Sequence, residues 1–548
     1  MGFFSRAGQI LLGAALVGVA APSCYSAGGG TAPPPDSFYF PVGLAVSTDG
    51  AVLYAVNSDF DLQWNGGTLQ SYDLARLRAD AANQIATFAI PNSTCPGSPP
   101  PGGTLLGQAC APVHPSQSYI GDSVTIGAFA TDVQLSVAPN HSSRLFIPVR
   151  GNATVTWADV EGDPNNPLKI DCGQGADGRC AASHQAGNDP NQLGNTRHVT
   201  LPGEPYGMAQ SENGAYIAVT SQTTTQSSLL TTGLSTPAAP PVPPTMEFVL
   251  GGMPVGGIGI AAVPHDRDAP APGMVGPPPT GKSSRCEDVD VADVLHCVRP
   301  AFLETSRDAA EIDLLRLYDD DGSSLHRPFL QREGVYPITS NAVGTDSRGI
   351  VIDPTPRIAC KTQCNGDPAC SAACGQLAAR VFFASRTPPA LGIGEIGGPP
   401  PSGLGTYDPD RLVLTGNWPL PIGPSNVYLA PIIDPNGNFA LRVFIVCFDA
   451  SQIVVWDPDA EAVETVIDVG AGPFAMTFDP FSMTDVGEHN PAPPPPAPNQ
   501  PRPYRFAYVA SFTQSYVQMI DLDNSQPTAE TFENVVFTLG QPTLPKGQ

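Results

Sequence analysis

The chain has 548 residues, a net charge of −25 and only 14% charged residues, against roughly 25% in ordinary globular proteins. That acid excess excludes nucleic acid and an anionic membrane surface as partners, because both require a basic footprint. With 56 Gly and 62 Pro, long stretches are loop, and length alone would suggest several domains.

Residues 1–24 read as an export signal. Arg6 supplies a basic start, Ile10 to Ala21 is apolar but short for a membrane span, and small residues follow. Two cleavage readings stand. Val19-Ala20-Ala21 is a small-x-small site, whereas Ala21-Pro22-Ser23-Cys24 resembles a degenerate lipobox that would make Cys24 the acylated first residue. Residues 25–37, rich in Gly and Pro, then form a flexible tether. Membrane contact is expected only through that lipid anchor.

From residue 38 to residue 540 one pattern recurs seven times: a strand-like run, a turn, an aromatic run, and a third run closing on Asp. FPVGLAVSTDGAVLYAVNSD from Phe40 is one clear copy, and PFAMTFDP with RFAYVASF from Pro473 is another. A repeat that cannot bury its own face must stack on its neighbours, and repeats of four strands stack into a propeller. The fold class is therefore all-β, a seven-bladed propeller with four-stranded blades, followed by a tail over 541–548. First strands (A) centre near Leu44, Leu135, Met208, Ile258, Ile350, Leu429 and Met476. Second strands (B) centre near Tyr54, Phe146, Ile217, Phe302, Phe382, Phe444 and Tyr508. Third strands (C) close on Asp73, Asp159, Asp457 and Asp521, where the carboxylate accepts turn N–H groups. Ala310 to Gly322 could be helical, but the C-strand slot of the fourth blade suits it better.

The spacing between A strands exceeds the roughly 40–45 residues of a compact blade, so the excess is inserts. Most cysteines lie in them: Cys95/Cys110, Cys172/Cys180, Cys286/Cys297, and the quartet Cys360, Cys364, Cys370 and Cys374. In an exported chain these read as disulfides. A short helical hairpin turning at Asn365 to Pro368 would pair Cys360 with Cys374 and Cys364 with Cys370. A four-thiolate zinc site is the rival, but its spacing is short for zinc. Cys447, in an apolar run, is expected to be a buried free thiol. Strand parity sends A–B and C–D loops to one face and B–C and D–A loops to the other. The inserts with Cys286/Cys297, the quartet and the Pro-rich Asn490 to Pro503 fall between A and B, and Cys172/Cys180 between C and D. Cys95/Cys110 falls between D and A, on the opposite face.

GAGPFAMTFDP (Gly470 to Pro480) followed by RFAYVASFTQSYVQMIDLD (Arg505 to Asp523) resembles the YVTN-type β-propeller repeat. Asp49-Gly50 and Asn436-Gly437 match that repeat's turn, and the closing Asp residues match its last position. The resemblance implies a propeller and an exported surface or periplasmic protein. The long cystine-bearing inserts depart from the pattern.

No motif for catalysis, a cofactor or a metal emerges. Gly276 to Ser283 satisfies G-x-x-x-x-G-K-S, but three prolines remove the N–H groups a phosphate would need. Asp319-Asp320-Asp321-Gly322 resembles part of a calcium loop but lacks the alternating ligands and terminal Glu, so it reads as a solvated turn. The remaining candidates are positional. The A strands begin at the channel mouth opposite the cystine inserts, which places Asp132, Tyr206, Arg348, Asn426 and Phe474 there. The B–C loops add Asp59, Asp61, Trp64, Arg150, Arg307 and Arg386. The arginines could form a cationic rim for an anionic ligand. Asp132, Arg150, Tyr206, Arg307, Arg348, Arg386 and Asn426 are the candidate ligand-binding residues. The expected function is a cell-envelope binding module for a protein, peptide or glycan. Its rivals are a lactonase- or lyase-like propeller enzyme and a purely structural surface protein.

Overall fold

The computed structural model describes residues 31–87, 112–137, 143–161, 165–173, 197–234, 242–271, 274, 276–288, 290–319, 327–338, 345–398, 407–479, 503–524 and 531–543. Cys24, Cys95, Cys110 and Cys180 lie outside these residues, as do the signal segment, most of the tether and residues 544–548.

Seven sheets form, each from strands in chain order, and every one of the seven expected A/B pairs is present. Blade 1 holds β1 (Pro41–Val46), β2 (Val52–Asn57), β3 (Gly67–Asp73) and β5 (Ile120–Ile126), with α1 (Leu74–Thr87) and β4 (Val113–His114) between the last two in the chain. Blade 2 holds β6 (Gln134–Val137), β7 (Ser143–Val149), β8 (Thr154–Val160) and β9 (His198–Thr200). Blade 3 holds β10 (Pro205–Gln210), β11 (Tyr216–Ser221), β12 (Gln226–Thr231) and β13 (Met246–Gly251). Blade 4 holds β14 (Gly257–Ala262), β15 (Ala301–Ser306), β16 (Glu311–Tyr318) and β17 (Phe329–Pro337). The ambiguous run of the fourth blade is thus a strand. Blade 5 holds β18 (Ser347–Asp353), helices α2 (Thr355–Thr362) and α3 (Pro368–Gly375), β19 (Ala379–Arg386), β20 (Pro389–Ile396) and β21 (Leu412–Pro419). Blade 6 holds β22 (Pro424–Ile433), β23 (Phe439–Cys447), β24 (Gln452–Asp457) and β25 (Ala462–Asp468). Blade 7 holds β26 (Pro473–Asp479), β27 (Phe506–Ser511), β28 (Tyr516–Asp521) and β29 (Asn534–Leu539).

The first strands of successive blades touch around the ring, and β26 closes it on β1. The apolar core is accordingly divided into wedges, one between each pair of adjacent blades, built from the alternating inward residues of both sheets. Close approach of the A strands explains a recurrent glycine. A Cβ at Gly207 would lie 2.1 Å from the Ile258 carbonyl oxygen, and one at Gly259 2.3 Å from that of Arg348.

Closure between blades 7 and 1 uses the blade 1 insert. β4 adds to β29 as a parallel fifth strand. Leu77, Ala81 and Ile85 of α1 pack into the wedge beneath. Arg78 of the same helix reaches Asp479 on β26 at 2.7 Å, with both side chains buried.

This topology corrects one expectation. The Cys95/Cys110 segment joins β3 to β5 by way of α1 and β4, so it is a C–D insert and not a D–A insert. The fourth strand of blade 1, IGDSVTI, is half polar and far from β3 in sequence, which hid it from pattern reading. The inserts that carry these cysteines therefore all leave from one face.

Disulfides Cys286–Cys297, Cys360–Cys374 and Cys364–Cys370 are present as expected, the last two across the α2–α3 hairpin. Cys364, Cys370 and Cys374 have their sulfurs within 4.8 Å of one another, but both bonds consume the thiolates a zinc ion would need. Cys172 is disulfide-bonded, and Cys447 is buried and free. Salt bridges weld the blade 4 and blade 5 inserts together: Lys361 on α2 lies 2.7 Å from Asp266 and 2.6 Å from Asp268.

Candidate functional site

Two positions repeat in every blade at the mouth opposite the cystine inserts. One is the residue at or just past the end of strand B, and the other is the residue just before the first A–B pair. The first donates its N–H to the carbonyl of the second in all seven blades: Ser58 to Phe40, Arg150 to Phe129, Gln222 to Glu204, Arg307 to Gly256, Arg386 to Asp346, Phe448 to Gly423 and Phe512 to Gly472, at 2.7–3.1 Å. The backbone at this corner is thus fixed, and the side chains differ blade by blade.

Those differences divide the mouth in two. Around blades 6, 7 and 1 the side chains are aromatic. Phe512 stacks on Phe474 with centroids 5.6 Å apart, and it also meets Phe40, Phe60 and Phe448 at 4.9, 5.4 and 6.1 Å. Phe60 in turn meets Phe129 edge-on at 5.9 Å. Phe60 is 49% exposed at the top of this cluster. Phe40 and Phe129 have φ of 47° and 60°, the left-handed region where blades 4, 6 and 7 use Gly256, Gly423 and Gly472. A bulky residue there is strained, and strain of this kind concentrates at working sites.

Around blades 2 to 5 the mouth is charged, and each arginine has a carboxylate. Arg150 lies 2.6 Å from Glu204, Arg348 2.6 Å from Asp346, Arg386 2.6 Å from Asp449 and Arg307 3.9 Å from Asp308. The cationic rim expected from the sequence is therefore corrected to a ring of ion pairs with no excess positive charge. Glu204, from a D–A loop, and Asp449, from the B–C loop of the next blade, reach their arginines only once the blades are stacked, whereas Asp346 and Asp308 are sequence neighbours of theirs.

Below the mouth lie the channel residues. The phenol of Tyr206 feels the charges of Arg348, Arg150, Asp132 and Arg307, so five of the seven candidate residues lie within electrostatic reach of one another. Burial raises its pKa, and the arginines counter that. Burial likewise pushes the Asp132 carboxyl up to about 7, against the pull of the Val133 N–H. Asp132 stands two residues beyond the isolated Ala130–Val149 bridge and just ahead of β6, at the place where other blades have Gly43, Gly207, Gly259 and Gly349. Tyr428 faces the same space and feels Asp132 and Tyr206. Asn426 is turned toward blade 7. Its amide donates to the Phe474 carbonyl at 2.9 Å, tying blade 6 to blade 7. Arg386 faces blade 6.

Sequence reasoning missed Phe40, Phe60, Phe129, Phe448 and Phe512. They are single residues in five separate loops, and only strand register aligns them.

No protein-family model matches the chain, and no curated protein matches it. Solved structures with a similar outline include the periplasmic gluconolactonase PpgL of Pseudomonas aeruginosa, at 12% identity and TM-score 0.40, covering 79% of this chain and 86% of that one. A protein from Lactobacillus plantarum matches at 10% identity and TM-score 0.40, covering 79% and 85%. Hydrazine synthase of Kuenenia stuttgartiensis matches at 11% identity and TM-score 0.42, covering 89% and 97%. At these levels nothing about activity passes from them to this chain.

Proposed function

We propose that the protein is an exported, lipid-anchored binding propeller of the cell envelope, and that its ligand is a protein segment, peptide or glycan held at the B–C/D–A mouth. The observation that supports this reading is the division of that mouth into a phenylalanine half and an ion-paired half. A ligand with an apolar side and hydrogen-bonding groups on the other would meet both. The rings supply area at low entropic cost, and the guanidinium–carboxylate pairs supply directed donors and acceptors. The charge balance argues against selection for anions as such. Peptide and glycan arrays probed with the purified chain test the reading. Binders lost on replacing Phe60 or Arg386 with Ala are expected, and arrays without any such binder would reject it. Export and anchoring are tested separately by incorporation of labelled fatty acid, which Cys24→Ala should abolish.

One observation favours an enzyme instead. Asp132, with its carboxyl near neutrality and two tyrosines beside it, suits general acid–base chemistry. Hydrolysis of a lactone panel that is lost in Asp132→Asn would carry that reading over the first.

A further inference from the structure

The loop between β2 and β3 reads Ser58-Asp59-Phe60-Asp61-Leu62-Gln63-Trp64-Asn65-Gly66. Asp59 is fully buried. Its Oδ1 accepts the Trp64 N–H at 3.2 Å, which folds the loop back over the carboxylate. Its Oδ2 is buried and has no hydrogen-bond partner among the described residues. The same is true of Asn65 Oδ1, further along the loop. Asp61 adds a second carboxylate whose charge bears on Asp59, and its Oδ1 accepts the Gln63 N–H at 3.3 Å. The Asn65 N–H is already given to the Thr31 carbonyl at 3.0 Å. Two buried acceptor oxygens thus belong to one short loop, with a further carboxylate beside them.

Buried acceptors left without a donor or cation are costly, and native structures fill such places. The donor set here consists of hard oxygens, two carboxylates and an amide, on residues 59, 61 and 65. Calcium takes this set, accepting six to eight oxygens in flexible geometry and completing its shell with carbonyls and water. Magnesium fits less well, because it demands a near-ideal octahedron.

We propose that the β2–β3 loop binds a calcium ion through Asp59 Oδ2, Asp61 and Asn65 Oδ1. The ion fixes the loop that carries Phe60, the exposed ring of the aromatic half of the mouth, and so couples calcium to that surface. With only two carboxylates, one of them exposed, the affinity belongs to the weak end of calcium sites, a Kd of about 10⁻⁴ to 10⁻³ M.

The test uses the full chain stripped of divalent ions with a chelator. Calcium chloride is titrated up to about 10 mM while the unfolding midpoint is followed, since an ion that binds only the folded state raises it with the logarithm of its concentration. Terbium is titrated in parallel, with Trp64 as the sensitiser of its emission. The expected result is a calcium-dependent rise in the midpoint and a terbium emission that calcium displaces. Asp61→Asn, at an exposed position and with the Oδ1 that accepts the Gln63 N–H retained, should weaken both by about tenfold or more, and Asp59→Asn should remove both. Trp64→Phe should remove the emission and keep the calcium-dependent rise. A wild-type midpoint that ignores calcium, together with an Asp59→Asn variant more stable than wild type at neutral pH, would show that a proton and not a cation fills the site. An equal calcium response in wild type and both Asp variants would place the ion elsewhere and also overturn the proposal.

Discussion

Arg150 donates both Nε and Nη2 to one carboxylate oxygen of Glu204, at 2.9 and 2.6 Å, joining the end of strand B in blade 2 to the start of strand A in blade 3. The pair is partly exposed, at 27% and 38% of the two side chains, so its contribution to stability is small. A double-mutant cycle on Arg150→Ala and Glu204→Ala should give a coupling of about 0.2–1 kcal/mol in chemical denaturation. A coupling well above that range would mean the pair is structural and not available to a ligand.

The ring closure behaves in the opposite way. Arg78 and Asp479 are buried, and Asp479 also accepts the Tyr508 hydroxyl at 3.2 Å. Removing the guanidinium leaves a charge stranded between blades 7 and 1. Arg78→Ala should therefore destabilise the chain by about 3–5 kcal/mol, read as a shift in the denaturation midpoint. A loss under about 1 kcal/mol would show that closure rests on the strand pairing and apolar wedge instead.

Asp132 makes stability depend on pH in a defined direction. Its folded pKa of about 7 lies above the ordinary carboxylate value because burial disfavours the charged form. The folded state therefore holds a proton that the unfolded state has released once the pH exceeds the ordinary value. Its contribution falls as pH rises from about 4 to 7 and is level above that. Asp132→Asn should leave stability near wild type at pH 4 and raise it by about 1–2 kcal/mol at pH 8, after discounting for water in the channel. Buried Glu304, with its pKa near 8, gives a slope of the same sign. For that reason the difference between variant and wild type is the quantity to measure.

The disulfide framework predicts a peptide map. Digestion without reduction should recover Cys286–Cys297, Cys360–Cys374 and Cys364–Cys370, and the proposed export predicts Cys95–Cys110 and Cys172–Cys180 in addition. Cys447, buried with its pKa pushed up to about 12, should resist alkylation until the chain unfolds. Cys360→Ser with Cys374→Ser should cost about 3 kcal/mol, the value for a closed loop of this length. Rapid alkylation of Cys447 in the folded protein would contradict its placement between blades 5 and 6.

The A/B pairs were legible because Tyr54, Phe382, Phe444 and Tyr508 sit in β-branched and aromatic runs, each preceded by a matching apolar run whatever insert lies between them. The cystine hairpin was legible because Cys360 and Cys364 precede a turn that Cys370 and Cys374 mirror. Blade 1 hid its fourth strand behind α1, which inverted the face given to Cys95 and Cys110. The site was only half legible. Asp132, Tyr206 and Arg348 follow from parity, since strand A starts at the mouth. Glu204 and Asp346 went unread as partners although they flank the A strands. The phenylalanine half was invisible, because Phe40 and Phe129 occupy left-handed positions that no sequence rule assigns to an aromatic residue, and only the stacked backbone aligns them with Gly423 and Gly472.

The central claim is that the two-sided mouth, and not the cystine face, binds the ligand. The decisive measurement compares the affinity of an array-selected peptide or glycan for two variants. One is Phe60→Ala with Arg386→Ala at the mouth. The other is Leu295→Asp in the Cys286–Cys297 insert, where Leu295 is 81% exposed on the opposite face. The account predicts that the mouth variant loses binding by about tenfold or more while the Leu295 variant binds like wild type. Binding kept by the mouth variant and lost by Leu295→Asp would contradict it.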